Sequence, residues 1–572
     1  MHGRRSKTTP TLLAVLAAAA LVAGCTSGTT AGPSGPVAGS SDSGSGKSGG
    51  GATTGVLNVG MPNGPQTNNS NPFLGTSAGA SLGYRFMIYE PLVMLNGVRP
   101  SDKGVPWLAT AWDWADNYKK LTLTIRDNVS WSDGKPLTAE DVAYTFDLMK
   151  KTEALNINAI PFRDITTTGN QVELTFPSSQ FVNQTKILQQ FVIPKHIWST
   201  VKDPSTWTDQ QPVGSGPYTL KSFTTQTVTL TRRDSYWKDL PQVSELRYTS
   251  YNDNTAQTTA LASGASEWSF VFMPNYKQIY IAKDPQHNNL WFPSGLGIHG
   301  LWLNTAKKPL DNPALRRAIN LVVDREAIFV QAESSLYPKI ESPTGIPLPA
   351  GEPYLAPEYK DARLAVDIDA AKKELTDGGF TFDGDTLKDP SGKPVKITLT
   401  DPAGWSDYLT GLAIIKESLK KIGIAADVRT QTVDAWTSAV NNGDFDAVLH
   451  WTNSGATPYD MYENIMDGSL LKPLGKAATG GNFGRFKSDD ATKALNQYAN
   501  AADDATRTDA LNKLEKIMVE QVPVVPTSAA PIGAEYSTKH WTGWPDESNP
   551  YGPPQPTQPN SLDVVLHLKP AS

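Results

Sequence analysis

Cys25 is the only cysteine in the chain, so one sulfur carries all the thiol chemistry available. An intramolecular disulfide, a Cys-x-x-Cys redox pair and a cysteine-built metal site are all excluded. Seven histidines (His2, His196, His287, His299, His450, His540, His567) are scattered, with no pair at i, i+3 or i+4, which excludes the helical two-histidine zinc site. Gly75-Thr76-Ser77-Ala78-Gly79 fits Gly-x-Ser-x-Gly. That elbow needs a buried strand directly before it, however, and Asn69-Ser70-Asn71-Pro72 is loop. Ser132-Asp133-Gly134-Lys135 fits Ser-x-x-Lys, but reads as a turn rather than a helix start, with no Lys-Thr-Gly later. No Gly-x-x-x-x-Gly-Lys-Ser/Thr loop is present, so any ATPase is a separate subunit. Nothing in the sequence singles out a carboxylate pair for glycoside hydrolysis. Such a pair need only meet in space, so hydrolysis stays open; beside it stands non-covalent chemistry, for which 15 tryptophans are a generous supply of flat apolar platforms.

The elements that must position such groups begin after an N-terminal address. Arg4, Arg5 and Lys7 precede an uncharged stretch whose apolar centre, Leu12 to Ala23, ends in Leu21-Val22-Ala23-Gly24-Cys25. A basic start, a short apolar run and small residues at the end form a secretory signal. The run is shorter than the roughly 20 residues that span a bilayer. Of residues 26–55, 27 of 30 are Gly, Ser, Thr, Ala or Pro, the exceptions being Val37, Asp42 and Lys47. Such a segment cannot bury a core and is expected to act as a tether, with a reach of about 30 Å. No later apolar run is long enough to cross a membrane.

The 572 residues suggest two to four domains, and 39% hydrophobic residues suffice for packed cores. Removing the three basic residues of the leader from the net charge of −6 leaves −9. An acidic body with no basic stripe argues against nucleic acid as a partner. Val56 to Gly60 predicts a first strand, and residues 81–95 a helix. Leu121-Thr122-Leu123-Thr124-Ile125 alternates as a half-buried strand does. Thr138-Ala139-Glu140-Asp141 offers a helix cap, followed by Val142, Phe146 and Met149 at helical spacing. Asp311-Asn312-Pro313 starts another helix, its buried face formed by Leu315, Ala318, Ile319, Val322 and Val323. Ile415, Leu419 and Ile422 line a helix stopped by Gly423; a strand at 424–428 comes next, and another at 445–449 leads to His450-Trp451. Leu511, Leu514, Ile517 and Met518 mark a last long helix. The Pro-rich tail after about Pro545 is expected to run extended over the surface. Alternating strands and helices give an α/β class.

Several stretches together resemble the family 5 extracellular solute-binding proteins of bacterial ABC importers, whose members bind peptides, nickel complexes or oligosaccharides. Residues 108–149, LATAWDWADNYKKLTLTIRDNVSWSDGKPLTAEDVAYTFDLM, resemble the family's signature: an aromatic strand, a Trp-x-Asp-Gly turn and a Leu-Thr-Ala-Glu-Asp-Val helix start. Gly214-Ser215-Gly216-Pro217-Tyr218 is similar to its Gly-Thr-Gly-Pro-Tyr turn, and Asp234-Ser235-Tyr236-Trp237 matches Asn-Pro-x-Tyr-Trp in part. Residues 301–326, LWLNTAKKPLDNPALRRAINLVVDRE, fit its Asn-Thr…Asp-Arg pattern, and segments 440–460 and 506–526 resemble later parts. The likeness runs from about Val56 to Val525. The end of the leader resembles a lipobox, which implies that Cys25 becomes the lipidated first residue of the mature protein.

The resemblance implies a two-lobed, hinge-closing periplasmic-binding-protein type II fold with an extra domain inserted in lobe one. Carried onto this chain, the signal peptide is 1–24 and the lipidated Cys and tether 25–55. Lobe one is 56–93, 208–296 and 524–572, the inserted domain 94–207, and lobe two 297–523. Trp131 and Asp141 are then structural. The implied ligand lies between the lobes, with the segment from His450 to Asp460 supplying much of the pocket. Peptide-binding members commonly have a Trp followed three positions later by an Asp that pairs with the peptide ammonium. Here Trp451 is kept, but Ser454 stands at the Asp position, with Asp460 six residues further on. Gly404-Trp405-Ser406-Asp407 and Trp541-Thr542-Gly543-Trp544-Pro545 are similar to segments of oligosaccharide-binding members. The expected ligand-binding residues are Trp451, Asn453, Ser454, Tyr459, Trp405 and Asn71, with Cys25 for lipid and no cofactor or metal. The expected function is a monomeric, lipid-anchored receptor on the outer face of the cytoplasmic membrane. It takes a short peptide or an oligosaccharide to an ABC permease and ATPase without covalent chemistry. The alternatives are a secreted hydrolase of the same oligomers and a ligand-sensing surface receptor.

Overall fold

The computed structural model describes residues 55–100 and 102–571. The leader 1–24, Cys25 and all of the tether but Gly55 lie outside them. Two sheets organise the described chain. The first has seven strands, in spatial order Asn288–Trp291, Ala534–Ser537, Trp268–Ser269, Val56–Met61, Glu245–Ser250, Thr227–Arg232 and Tyr218–Phe223. Val56–Met61 is central and pairs in parallel with Glu245–Ser250 and Trp268–Ser269. Its Leu57 and Val59 point into the core while Val56 and Asn58 stay half-exposed, the alternation that a pleated strand imposes.

Between the early and late parts of this sheet the chain builds a four-stranded antiparallel sheet, ordered Ala109–Ala115, Lys120–Ile125, Gln171–Thr175 and Asp164–Thr168. Leu121, Leu123 and Ile125 are buried on one face, with Val142, Phe146 and Met149 of helix Ala139–Lys151 in the same core. The expected cap is present: the Asp141 carboxylate accepts the Thr138 N–H at 2.8 Å, satisfying a donor that the helix start leaves open. Asp141 also accepts the Lys195 N–H, and Trp131 is fully buried, so both signature residues are structural. Gly214 and Gly216 are glycines for a reason of space. A Cβ at either would lie 1.9 Å from Ile88 O or 2.3 Å from Met87 O, where the turn packs on helix Arg85–Ile88.

The second sheet has five strands: Ala425–Gln431, Lys396–Pro402, Ala447–Trp451, Ser294–Leu303 and Val524–Pro531. Helix Pro313–Val322 is capped by Asn312, whose side chain accepts from Ala314 N, and buries Leu315, Ala318, Ile319 and Val322 as expected. Helix Ser406–Lys420 and helix Asp504–Gln521 complete this layer. Among the described residues no helix is long and apolar enough to cross a membrane.

The chain passes between the two sheets twice here, at residues 292–293 and 532–533. These crossings lie against each other, since a Cβ on Gly533 would fall 2.4 Å from Phe292 Cα. The boundary expected at 523/524 is therefore misplaced. Val524–Pro531 pairs with Ser294–Leu303 in the second sheet, and the chain returns to the first only at Ala534. A run of small and apolar residues carries no clue to which sheet it will join.

Two further expectations change. The helix expected over 81–95 is two short ones, Ala78–Leu82 and Arg85–Ile88, divided by Gly83 at φ 91°. The Pro-rich tail is not a surface strap. It ends in helix Ser561–His567, with Leu562, Val564, Val565 and Leu568 fully buried in the core of the seven-stranded sheet. Its proline carbonyls are used as acceptors: Trp268 Nε1 donates to Pro554 O at 2.7 Å.

Candidate functional site

Strand Ala447–Trp451 ends at Trp451, and of the next three residues Thr452 and Ser454 are tied down by hydrogen bonds to the neighbouring strand. Thr452 N donates to Ile298 O at 2.8 Å, and its hydroxyl accepts from Ile298 N at 2.9 Å. Ser454 Oγ accepts from Leu296 N at 2.9 Å. That contact requires glycine at 295, where a Cβ would stand 2.2 Å from the Ser454 hydroxyl. Held this way, Trp451 is left 42% exposed. Its ring lies 6.4 Å from that of Trp405 and 6.0 Å from that of Trp436. Trp405 in turn meets Tyr408 and Trp436 edge-on at 5.4 and 5.3 Å. Trp436 is buried beneath and stacks on His450. The result is an aromatic platform on the second sheet body with Trp451 outermost. Burial pushes His450 down to about 4, so this ring is neutral and part of the platform's support.

The first sheet body reaches this platform through the start of helix Asn254–Ser263. Asp253 caps that helix by accepting from Ala256 N at 2.8 Å. Asn254 Nδ2 donates to Ser406 Oγ at 3.3 Å and to Asp407 Oδ1 at 3.4 Å. Gly404, at φ 93°, is packed so closely that a Cβ there would lie 2.9 Å from Asp253 Cβ. A second bridge joins helix Gln184–Leu188 to helix Tyr459–Met466. Lys186 Nζ lies 2.7 Å from Glu463 and 3.6 Å from Asp460, all three side chains largely buried. Burial alone would depress the Lys186 ammonium, and the two carboxylates outweigh it and hold it raised. Arg507 lies 3.7 Å above the Phe181 ring beside this bridge.

Between the platform and the second sheet lies a small cavity lined by His299, Glu333, Asp407, Tyr408 and Thr527 among others. His299 faces Trp451 across the strand pair and meets Tyr408 at 5.8 Å, so cavity and platform share a wall. Burial pushes His299 down to about 4, Glu333 up to about 8 and Asp407 up to about 6.

Of the residues expected to hold ligand, Trp451 and Trp405 form the platform, and Asn453 and Ser454 are exposed beside it. Two do not belong. Asn71 is fully buried, and its amide is spent on Pro204 O, Trp207 O and Phe73 N, so it holds a loop together. Tyr459 is 5% exposed and stacks on Tyr498 at 5.0 Å, within the core. Asp460 is engaged by Lys186 and cannot take over from Ser454. Cys25 lies outside the described residues. Sequence reasoning misses Glu333, His299, Tyr408, Trp436 and Asn254 as site residues, since none of them sits in a motif with a binding role. Asp407 stands in the Gly404–Asp407 stretch, but nothing there gives it a role. Among the described residues no three His, Cys, Asp or Glu side chains are arranged to hold a metal ion.

Residues 103–469 match the family described as bacterial extracellular solute-binding proteins, family 5. Among curated proteins, the periplasmic murein peptide-binding protein MppA of Escherichia coli is 24% identical over 77% of this chain and 81% of its own. The oligopeptide-binding protein OppA of Bacillus subtilis is 23% identical over the same shares. Among solved structures, a mannohexaose-bound periplasmic oligopeptide-binding protein of Thermotoga maritima aligns with a TM-score of 0.82. It shares 24% identity, over 91% of this chain and 99% of that one. AppA of Bacillus subtilis in complex with a nonapeptide aligns with a TM-score of 0.75 at 19% identity, over 91% and 99%. The fold is thus the two-lobed periplasmic-binding type.

Proposed function

The chain belongs to the bacterial extracellular solute-binding proteins of family 5, and on that premise we propose that it captures a short peptide or an oligosaccharide between its lobes and hands it intact to an ABC permease. Relatives named for peptide binding and a similar structure holding mannohexaose support both ligand classes. The observation that carries the reading is Trp451, exposed on lobe two beside Trp405 and next to the point where Asn254 of lobe one makes contact. A ligand lying there touches both lobes only when they are closed, so its binding favours the closed state. The lobes are taken as 56–93, 208–291 and 534–571 for the first and 294–531 for the second, with 94–207 inserted in the first. The passages at 292–293 and 532–533 act as the hinge. One chain supplies the whole site, and Cys25 with the tether holds the body to the outer face of the cytoplasmic membrane. No covalent chemistry is done on the ligand.

A thermal-shift screen of peptides against oligosaccharides tests this, since a ligand at 100 times its dissociation constant adds about 2.7 kcal/mol. The binding class raises the melting temperature and is recovered unchanged. Trp451→Ala weakens binding by roughly tenfold or more, about 1.4 kcal/mol. Cleavage of the ligand, or unchanged affinity in the variant, contradicts the reading.

A further inference from the structure

Buried carboxylates elsewhere in the molecule are met by donors. Glu90 receives Trp107 Nε1, Tyr236 OH and Trp237 Nε1 at 2.6–3.1 Å. Glu515 receives the Ala356 N–H on both oxygens. Asp401 and Glu535 each leave one buried oxygen unpaired but accept the Leu449 or Val271 N–H on the other. For Glu333 no such donor is present among the described residues. Glu333 is 6% exposed, its Oε2 is buried without a hydrogen-bond partner, and it lines the cavity beside the platform. The Ser528 hydroxyl is near enough to draw its pKa down somewhat but makes no hydrogen bond to it in geometry. The backbone delivers Glu333 there by a π-helical turn, Ile328–Ala332, closed by Glu333 N donating to Ile328 O at 3.0 Å. Such turns insert one extra residue and redirect the chain beyond it.

The cavity's chemistry points one way. Asp407 is its second carboxyl, and no lysine or arginine lines it. The titratable groups around Glu333 are Asp407 and Tyr408 from helix Ser406–Lys420, His299 from its strand, and Tyr337; Asp401 and Glu535 lie one shell further out. His299 is held neutral by burial, so no cation lining the cavity compensates the acids. The room left is about that of one water molecule. That suits an –NH3+ head and is too small for a guanidinium or a sugar ring.

We propose that this cavity receives a primary ammonium group of the ligand, held by Glu333 and Asp407, while the body of the ligand lies on Trp405 and Trp451. The inference rests on the import reading above and narrows it to amine-bearing cargo. It also accounts for Ser454: the charge partner absent there is supplied from the other side of the same platform. The ammonium has two sources, the N-terminus of a peptide and the amino group of a deacetylated amino sugar. Binding brings a cation to two carboxyls that are held partly protonated, so they release protons as it arrives, and affinity rises with pH between about 6 and 8.

The test is calorimetric titration of the purified chain with two matched pairs and one neutral oligomer. The pairs are a short peptide with free and with acetylated N-terminus, and glucosamine oligomers with free and with acetylated amines; mannohexaose is the neutral oligomer. The free amine of one pair, which identifies the source, is expected to bind at least roughly tenfold tighter than its acetylated partner, with proton release. Glu333→Gln is expected to erase most of that difference, and Asp407→Asn part of it. An unchanged melting temperature of unliganded Glu333→Gln, or a raised one, shows that the variant folds. Equal binding of acetylated and free forms, or full discrimination kept by Glu333→Gln, overturns the proposal and marks the cavity as water-filled only. Binding of mannohexaose without either amine overturns it too but leaves the import reading standing. Binding of none overturns both.

Discussion

Trp451 is the residue on which the proposed binding surface rests, because its indole stays exposed while Thr452 and Ser454 beside it are pinned to the next strand. Shape should matter there more than any polar atom, because the platform works by flat apolar area. Trp451→Phe is therefore expected to keep most of the affinity that Trp451→Ala loses, measured by titration with the same ligand. Glu333 makes a separate prediction in the absence of ligand. Its carboxyl is raised by burial from an ordinary 4.5 to about 8, so between those values the folded chain binds more protons than the unfolded one. Its contribution is full below about 4.5 and is lost as pH rises toward 8. The melting temperature of the unliganded chain should fall over that window more steeply than that of Glu333→Gln; parallel curves would refute the assignment. Residue type alone misleads at Asn71 and Tyr459. An amide or phenol near a pocket-forming segment looks available in sequence, but whether its donors are already spent depends on Pro204, Trp207 and Tyr498, all distant in the chain. Glu333 is invisible for the converse reason, since an unmatched acid is defined by the neighbours it lacks.

At the scale of elements, local signals read correctly where a cap and an amphipathic stripe agree. Pro313–Val322 has both, with Asn312 before it and five apolar positions on one face. Val524–Pro531 joins the five-stranded sheet rather than the seven-stranded one because pairing is a tertiary choice that its own residues do not encode. The tail helix Ser561–His567 escapes notice because prolines on both sides mask a seven-residue run. Removing residues 552–572 should take away Leu562, Val564, Val565 and Leu568, whose burial is worth about 1.5–3 kcal/mol each. We expect loss of cooperative unfolding in a calorimetric scan, and an intact transition would show that the tail is dispensable. The bridge from Lys186 to Asp460 and Glu463 joins helix Gln184–Leu188 to helix Tyr459–Met466. Lys186→Met would leave two buried carboxylates without a cation, at a cost of about 3–5 kcal/mol. If this contact forms as the proposed lobes close, the same variant should bind ligand more weakly; equal affinity would make it a structural clamp only.

For the whole molecule, two neighbouring crossings between sheets, at 292–293 and 532–533, are the only covalent route that the described strands show between the lobes' cores. The other contacts named between the two sheet bodies are non-covalent: Asn254 with Asp407 and, through its N–H, with Gly404 O, Lys186 with Glu463, and Phe272 with Tyr337. Contacts of that kind can part without unfolding either core, as a hinge requires. The fold class and the two-lobed plan are legible in the sequence because family motifs are spread along most of the chain. The cargo is not, because the side chains proposed to select it, Trp451, Trp405, Glu333 and Asp407, come from separate stretches of the sequence that only the fold brings together. The measurement that bears most directly on closure around cargo is small-angle scattering of the purified chain with and without the ligand that most raises its melting temperature. The radius of gyration should fall on saturation at one ligand per chain and return when the ligand is removed. A radius that stays unchanged at saturation would mean that the cargo is not held between moving lobes.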